Sequence, residues 1–271
     1  MKKFLPLLAL FSFAMLPAQL QDSKVADECF RKADYKCAET AYSVLADNER
    51  IGKLKSQFYN NLGTSQRRLG KTEQAFVSYQ NALKADGNSI QTYINLSSIH
   101  AQRGSKQKAL EYANQGLLLD GENQEIFITR AKVYEDLKKN DLAEKDYQYL
   151  ISIAPDNLIA KTNYATYKKN LGKLDEALKD YNQLISEKPE SLLYNNRADV
   201  YLSMKMYKEA STDVEKAIKL DPKFSLSYVT KAKILFDMNK DSDACLNLEK
   251  ALKTGFEKYL INDLLRKCGN K

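Results

Sequence analysis

The chain holds a single histidine, His100, and no tryptophan. One imidazole rules out paired-histidine metal sites and leaves no second base to set beside a nucleophile. No G-x-S-x-G turn and no glycine-rich strand-to-helix loop occurs. The nearest match, Gly70-Lys71-Thr72, has Ser65 where a phosphate loop needs glycine. No catalytic residues, cofactor or metal are therefore expected. Glycine and proline are few, 10 and 5 in 271 residues. That scarcity argues against a β-sandwich and against a disordered chain. The net charge is +7, yet no run of five like charges exists, and lysine alternates with glutamate. Such a pattern describes a solvated helical surface, so nucleic acid is not an expected partner.

Long apolar runs are also missing, except at the start. In residues 1–18, Lys2 and Lys3 precede an apolar stretch from Phe4 to Leu16. Leu16-Pro17-Ala18 then offers a small residue before a cut that would leave Gln19 first. A bilayer span needs about 20 residues, and this stretch is shorter. A secretory signal peptide is expected, with an uncleaved anchor as the alternative. Export to a bacterial periplasm or cell envelope follows, with secretion also open. No cysteine follows the stretch to carry a lipid. Cleavage would lower the net charge from +7 to +5. The rest of the chain has no integral membrane segment.

What the sequence does contain is a repeat. Residues 191–224 read as two amphipathic helices joined by a tight turn and closed by Asp221-Pro222. With Ser191 as position 1, Tyr194 stands at 4, Ala198 at 8, Tyr201 at 11, Ala210 at 20, Ala217 at 27 and Pro222 at 32. Position 20 forms a ladder: Ala38, Ala75, Ala109, Ala143, Ala177, Ala210 and Ala244. From Ala75 onward its steps are 34, 34, 34, 33 and 34 residues. The first step is 37, which places about three extra residues near Glu49 to Lys53. Position 8 is small in every copy: Ala26, Gly63, Ser97, Ala131, Ala165, Ala198 and Ala232. Small residues on both helices let the backbones approach, while rings at positions 4 and 24 fill the flanks. A single unit cannot bury those rings, so stacked copies are required.

This spacing resembles the tetratricopeptide repeat. The resemblance implies an all-α, right-handed superhelical solenoid of seven helix-turn-helix repeats, at about 19–52, 56–89, 90–123, 124–157, 158–190, 191–224 and 225–255. Residues 256–271 are expected to form a capping helix, with Phe256, Tyr259, Leu260, Leu264 and Leu265 on one face. The resemblance further implies a concave groove faced by positions 2, 5, 6, 9, 12 and 13. The candidate peptide-binding residues are Asn60, Asn61, Asn95, Asn163, Asn195, Asn196, Lys132 and Asp199. An asparagine amide both donates and accepts, so a row of them can hold an extended peptide backbone. Asparagine here can equally be a default lining of the family. The clamp by which some members grip an acidic C-terminus is not reproduced. Only Asn95 fits it, and Asn60, Thr64, Glu125 and Thr129 stand where its other residues belong. The expected function is non-enzymatic binding of a protein or peptide by a monomer. The alternative is an assembly scaffold that uses its convex face or ends. His100 takes position 11, which is Tyr134 and Tyr201 in other copies, so it reads as a packing residue.

Four cysteines lie only at the two ends. No C-x-x-C pair is present, and with one histidine this excludes a zinc site. Cys29 and Cys37 occupy positions 11 and 19 of the first repeat, which antiparallel helices can bring face to face. Cys245 and Cys268 would tie the capping helix to the last repeat. Those two disulfides are expected in an exported protein. Free buried thiols are the alternative, and four cysteines allow three pairings.

Overall fold

The computed structural model describes residues 23–269. The expected signal segment lies outside the described residues. Among the described residues the fold is all-α, without strands, and the chain divides into two compact units between Leu150 and Ile151. The first unit begins with α1 (Ser23–Arg31), α2 (Tyr35–Asn48), α3 (Gly52–Arg68) and α4 (Thr72–Ala85). It continues with α5 (Ile90–Gln102), α6 (Lys106–Leu119), α7 (Gln124–Asp136) and most of α8 (Asn140–Ile153). The second unit contains α9 (Leu158–Asn170), α10 (Leu174–Glu187), α11 (Ser191–Ser203), α12 (Tyr207–Leu220), α13 (Ser225–Asp237) and α14 (Asp241–Lys253). A 3₁₀ turn (Lys258–Ile261) and α15 (Asn262–Gly269) close it.

The alanine ladder is fully buried at all seven rungs, and so are Ala26, Ser97, Ala131, Ala165, Ala198 and Ala232 on the facing helices. Gly63 shows how close the approach is: a Cβ there would stand 2.6 Å from the Tyr79 ring. Each helix pair turns through a residue with positive φ. Gly70, Gly104 and Gly172 take that place in three repeats, and Ala33, Lys138, Lys205 and Asn239 in the others. The residue after it returns a hydrogen bond to position 11, as in Lys71 N–H to Gln66 (2.9 Å) and Met206 N–H to Tyr201 (2.9 Å). This six-residue closure satisfies carbonyls that the helix end leaves open. Asp34, Asn123 and Asn157 cap the helices that follow them by accepting from the amides of Cys37, Ile126 and Ala160.

The extra residues between the first two repeats become helix. α3 runs for 17 residues where α5 and α11 run for 13, and it starts at Gly52. That added turn passes so close to the C-terminal end of α4, the second helix of its own repeat, that a Cβ on Gly52 would meet the Ala85 carbonyl at 2.6 Å.

The C-terminal segment differs from a single amphipathic helix. Phe256, Leu264, Leu265 and Cys268 pack against Val229, Phe236 and Leu248. The 3₁₀ turn, however, changes the helical phase. Ile261 is buried, while Tyr259 and Leu260 point to solvent. Both disulfides form as paired by the sequence, Cys29–Cys37 and Cys245–Cys268. No described helix is long and apolar enough to cross a membrane.

Candidate binding site

In the first unit the sequence-predicted asparagines do not share one environment. Asn60 and Asn95 are buried and bonded to each other, Asn95 Nδ2 donating to Asn60 Oδ1 at 3.0 Å. Asn60 Nδ2 donates in turn to Thr92 Oγ1 at 2.8 Å, and the Ser56 hydroxyl lies 3.4 Å from the same oxygen. This network joins α3 to α5, so those two amides are engaged inside the fold. Asn61 is half-buried and hydrogen-bonds the Tyr42 hydroxyl, which also donates to Asp27 Oδ1 at 2.5 Å. Burial, followed by the Asp27 carboxylate, raises the Tyr42 phenol well above its ordinary range. Lys132 is exposed on α7.

The second unit arranges the same residue types differently. Asn163 and Asn196 are half-buried, one repeat apart. Asn196 hydrogen-bonds the Tyr181 hydroxyl, whose pKa burial pushes up to about 12. Asp199 pairs with Lys169, bridging α9 and α11. Asn195 occupies the place of Asn60, but the next repeat carries Ser227 and Thr230 at the positions of Thr92 and Asn95. Its Oδ1 and the Ser227 hydroxyl are buried without a hydrogen-bond partner. Two large apolar side chains stand exposed at position 2 of neighbouring repeats, Ile159 and Leu192.

A second set of residues was not anticipated from the sequence. Arg130 makes two bonds to Asp146, at 2.8 and 2.7 Å, and a third to Asn114 of the preceding repeat at 2.8 Å. Arg197 repeats this with Asp213 (2.6 and 2.8 Å) and Asn182 (2.7 Å). Each guanidinium lies between two rings, Phe127 and Tyr134 in one case, Tyr194 and Tyr201 in the other. Burial alone would lower the Arg130 pKa, but the bonds to Asp146 carry it above its usual value. For Arg197 the Asp213 bonds are the leading cause of the same rise. The sequence signal was a shared spacing of 16 residues between arginine and aspartate at positions 7 and 23.

His100 is buried between Phe76, met edge-on at 5.1 Å, and Tyr112, stacked at 5.2 Å. Its Nδ1 has no hydrogen-bond partner. That is the setting of a packed ring, as its place in the repeat suggested. Among the described residues no group of three histidine, cysteine or carboxylate side chains is placed to hold a metal ion.

Comparison with known proteins agrees with the helix pairs. One tetratricopeptide repeat family model matches residues 191–224, and a second matches 56–89, 90–123, 124–157 and 160–191. A tetratricopeptide repeat protein from Parabacteroides merdae is 30% identical with a TM-score of 0.75, over 94% of this chain and 100% of that one. A thermophilic protein with this repeat from Thermus thermophilus is 19% identical with a TM-score of 0.61, over 67% of this chain and 99% of that one. A chain of the Cut9–Hcn1 hetero-tetramer of the APC/C is 14% identical with a TM-score of 0.59, over 89% of this chain and 54% of that one. No curated protein sequence matches this one significantly.

Proposed function

This chain belongs to the tetratricopeptide repeat family, and we propose that it binds an extended segment of another protein along the first helices of its repeats, without catalysing a reaction. The observation that carries this reading is in the second unit. Ile159 and Leu192 lie exposed one repeat apart, beside the half-exposed amides of Asn163 and Asn196. Exposed apolar side chains in register with amides suit a strand-like segment. Its apolar residues cover Ile159 and Leu192, and its peptide groups meet the asparagines. Asp199, held by Lys169, supplies a fixed charge that would select among such segments. Asn60, Asn95 and Asn195 act from beneath. Asn60 and Asn95 hold neighbouring first helices in register, and none of the three reaches a ligand unaided, because each is buried.

We place this binding outside the cytoplasm. The charged start and apolar run of residues 1–18 support export, and two disulfides suit an oxidising compartment. Cell fractionation with N-terminal sequencing tests this part. A mature protein starting at Gln19 in the envelope fraction is expected, and an intact N-terminus in the cytoplasm sinks it.

Selection from a random peptide library tests the binding itself. Peptides with spaced apolar residues are expected on the wild type. Their affinity should fall by at least about ten-fold with Ile159→Glu plus Leu192→Glu, since a buried apolar side chain contributes about 1.5–3 kcal/mol. Asn163→Ala plus Asn196→Ala should weaken all selected peptides alike. Failure to select any peptide, or binding indifferent to both double variants, defeats the proposal.

A further inference from the structure

Position 4 carries an aromatic ring in repeats two, three, four, six and seven: Tyr59, Tyr93, Phe127, Tyr194 and Tyr228. In repeat five it is Lys161. The intact repeats show what holds the ring. Phe127 packs 4.9 Å from the Tyr149 ring at position 26 and lies 5.3 Å from the Arg130 guanidinium at position 7. Tyr194 meets Arg197 at 5.6 Å and Lys216 at 5.2 Å, from the same two positions. In repeats four and six the seat is therefore made by positions 7 and 26, with a cation over the ring face.

Repeat five keeps a seat and lacks the occupant. A pocket of ≈ 290 Å³ opens between α9 and α10, lined entirely by residues of the second unit. Ile151 and Leu184 are its apolar members, Tyr164 takes position 7, and Gln183 takes position 26. Lys168 stands 4.5 Å from the Tyr164 ring and 2.7 Å from Asp180, so its charge is matched and its place fixed. Lys161 is held only loosely, 3.9 Å from Glu187.

This chemistry selects among ligands. The two lysines are balanced by Asp180 and Glu187, with Glu176 a further 3.8 Å contact of Lys168, so neither an anion nor a cation is favoured. What remains is an apolar floor, an aromatic wall, aliphatic lysine stems and the loosely held Lys161 ammonium, which can settle over a ring. The volume lies at the lower end of small-molecule pockets, about 300 Å³, and suits one side chain better than a long ligand.

We propose that this pocket receives a single aromatic side chain, tyrosine or phenylalanine, from a partner protein, which completes repeat five in trans as Phe127 and Tyr194 complete their own repeats in cis. The site is separate from the extended surface proposed above. Lys161, Tyr164 and Lys168 follow each other at intervals of three and four along one face of α9, whereas Asn163, Thr166 and Lys169 lie on another. A partner can thus occupy both, and the pocket adds a fixed anchor to a sequence-tolerant contact.

The experiment uses the full mature chain with labelled isoleucine and leucine methyl groups, followed by NMR during titration with N-acetyl-tyrosinamide. Saturable shifts of the Ile151 and Leu184 methyls are expected, with N-acetyl-leucinamide at least about ten-fold weaker because it cannot stack or meet the ammonium. Lys161→Phe should abolish the shifts by supplying the ring internally, and should raise Tm. Lys161→Tyr, which supplies the ring that repeats two, three, six and seven carry at position 4, should act in the same direction and guards against a folding defect in the first variant. Asn196→Ala should leave the titration unchanged, which separates this site from the groove. No saturable shift in the wild type, equal shifts in both filling variants, or equal affinity for the two probes would overturn the proposal. Methyl shifts that grow with protein concentration alone would assign the pocket to a second copy of this chain and also overturn it.

Discussion

Arg197 and Asp213 face each other across the two helices of one repeat and share two hydrogen bonds, with the aspartate side chain only 4% exposed and the arginine 16%. A carboxylate so placed depends on its partner. The pair fixes how α11 sits on α12 and, through Asn182, on the preceding α10.

Removing one member should therefore cost more than removing both. Arg197→Ala is expected to destabilise by about 3–5 kcal/mol, because it leaves a buried carboxylate uncompensated. Arg197→Met combined with Asp213→Leu should recover most of that loss. Urea denaturation of the two single variants and the double variant measures it. Strictly additive losses would contradict the interpretation.

Gly63 allows no substitution at modest cost. A methyl group there would overlap Tyr79 Cε1 and Cδ1, at 2.6 and 2.8 Å, and approach the Ala75 carbonyl at 3.1 Å. Gly63→Ala should thus destabilise by about 1–3 kcal/mol through overpacking, although alanine is the better helix former by roughly 1 kcal/mol. A thermal melt that shows Gly63→Ala unchanged or more stable would refute the packing account.

His100 makes stability depend on pH. Burial, then Arg103 and Lys108, hold its pKa below the ordinary 6.5, so the folded protein prefers the neutral ring. The unfolded chain binds the proton more readily. This contribution is fully present above the unfolded pKa and is lost as pH falls through the depressed folded value. Melting temperature should accordingly drop on acidification from about pH 7.5 to about pH 5. His100→Tyr, the residue found at the same position as Tyr134 and Tyr201, should flatten that part of the profile. An identical pH profile in the variant would rule His100 out.

The Cys245–Cys268 bridge spans 23 residues and fastens α15 to α14. Chain-entropy bookkeeping gives such a closure about 3 kcal/mol. Cys268→Ser should raise amide hydrogen exchange through residues 256–269 and leave α9 and α10 protected as before. Exchange that rises equally over the whole second unit would show that the bridge supports more than the end.

The repeat frame was legible because its cause is local. Two helices that touch need small residues at fixed offsets, and the same offsets recur in every copy, so Ala38 through Ala244 declare themselves. The cysteine pairs were legible for the same reason, since positions 11 and 19 are neighbours within one frame. Asn60 and Asn195 were not. They share a residue type and a position, but Asn60 meets Thr92 and Asn95, whereas the next repeat offers Asn195 only Ser227 and Thr230. An amide's role is set by residues some 32 to 35 positions away, and a pattern that averages over copies hides such differences. The Arg130–Asp146 and Arg197–Asp213 pairs escaped for the opposite reason. They lie at positions the family pattern leaves variable, and only their common spacing betrays them. Repeat five was visible as a lysine among aromatics, yet nothing in one sequence says whether the neighbours close over the missing ring or leave space.

The two disulfides have a consequence for how the molecule comes apart. In a chain of stacked repeats each unit is steadied by its neighbours, and an end unit has only one, so melting ordinarily begins at the ends and runs inward. Here both ends are knotted shut, over 8 and 23 residues, and no cysteine lies in the repeats between. An oxidised molecule pulled by its termini, or met by a protease, should therefore resist fraying at its bridged ends, and reduction should restore that fraying. The redox state of the surroundings should thus bear on how readily the two ends of the chain are offered to another molecule.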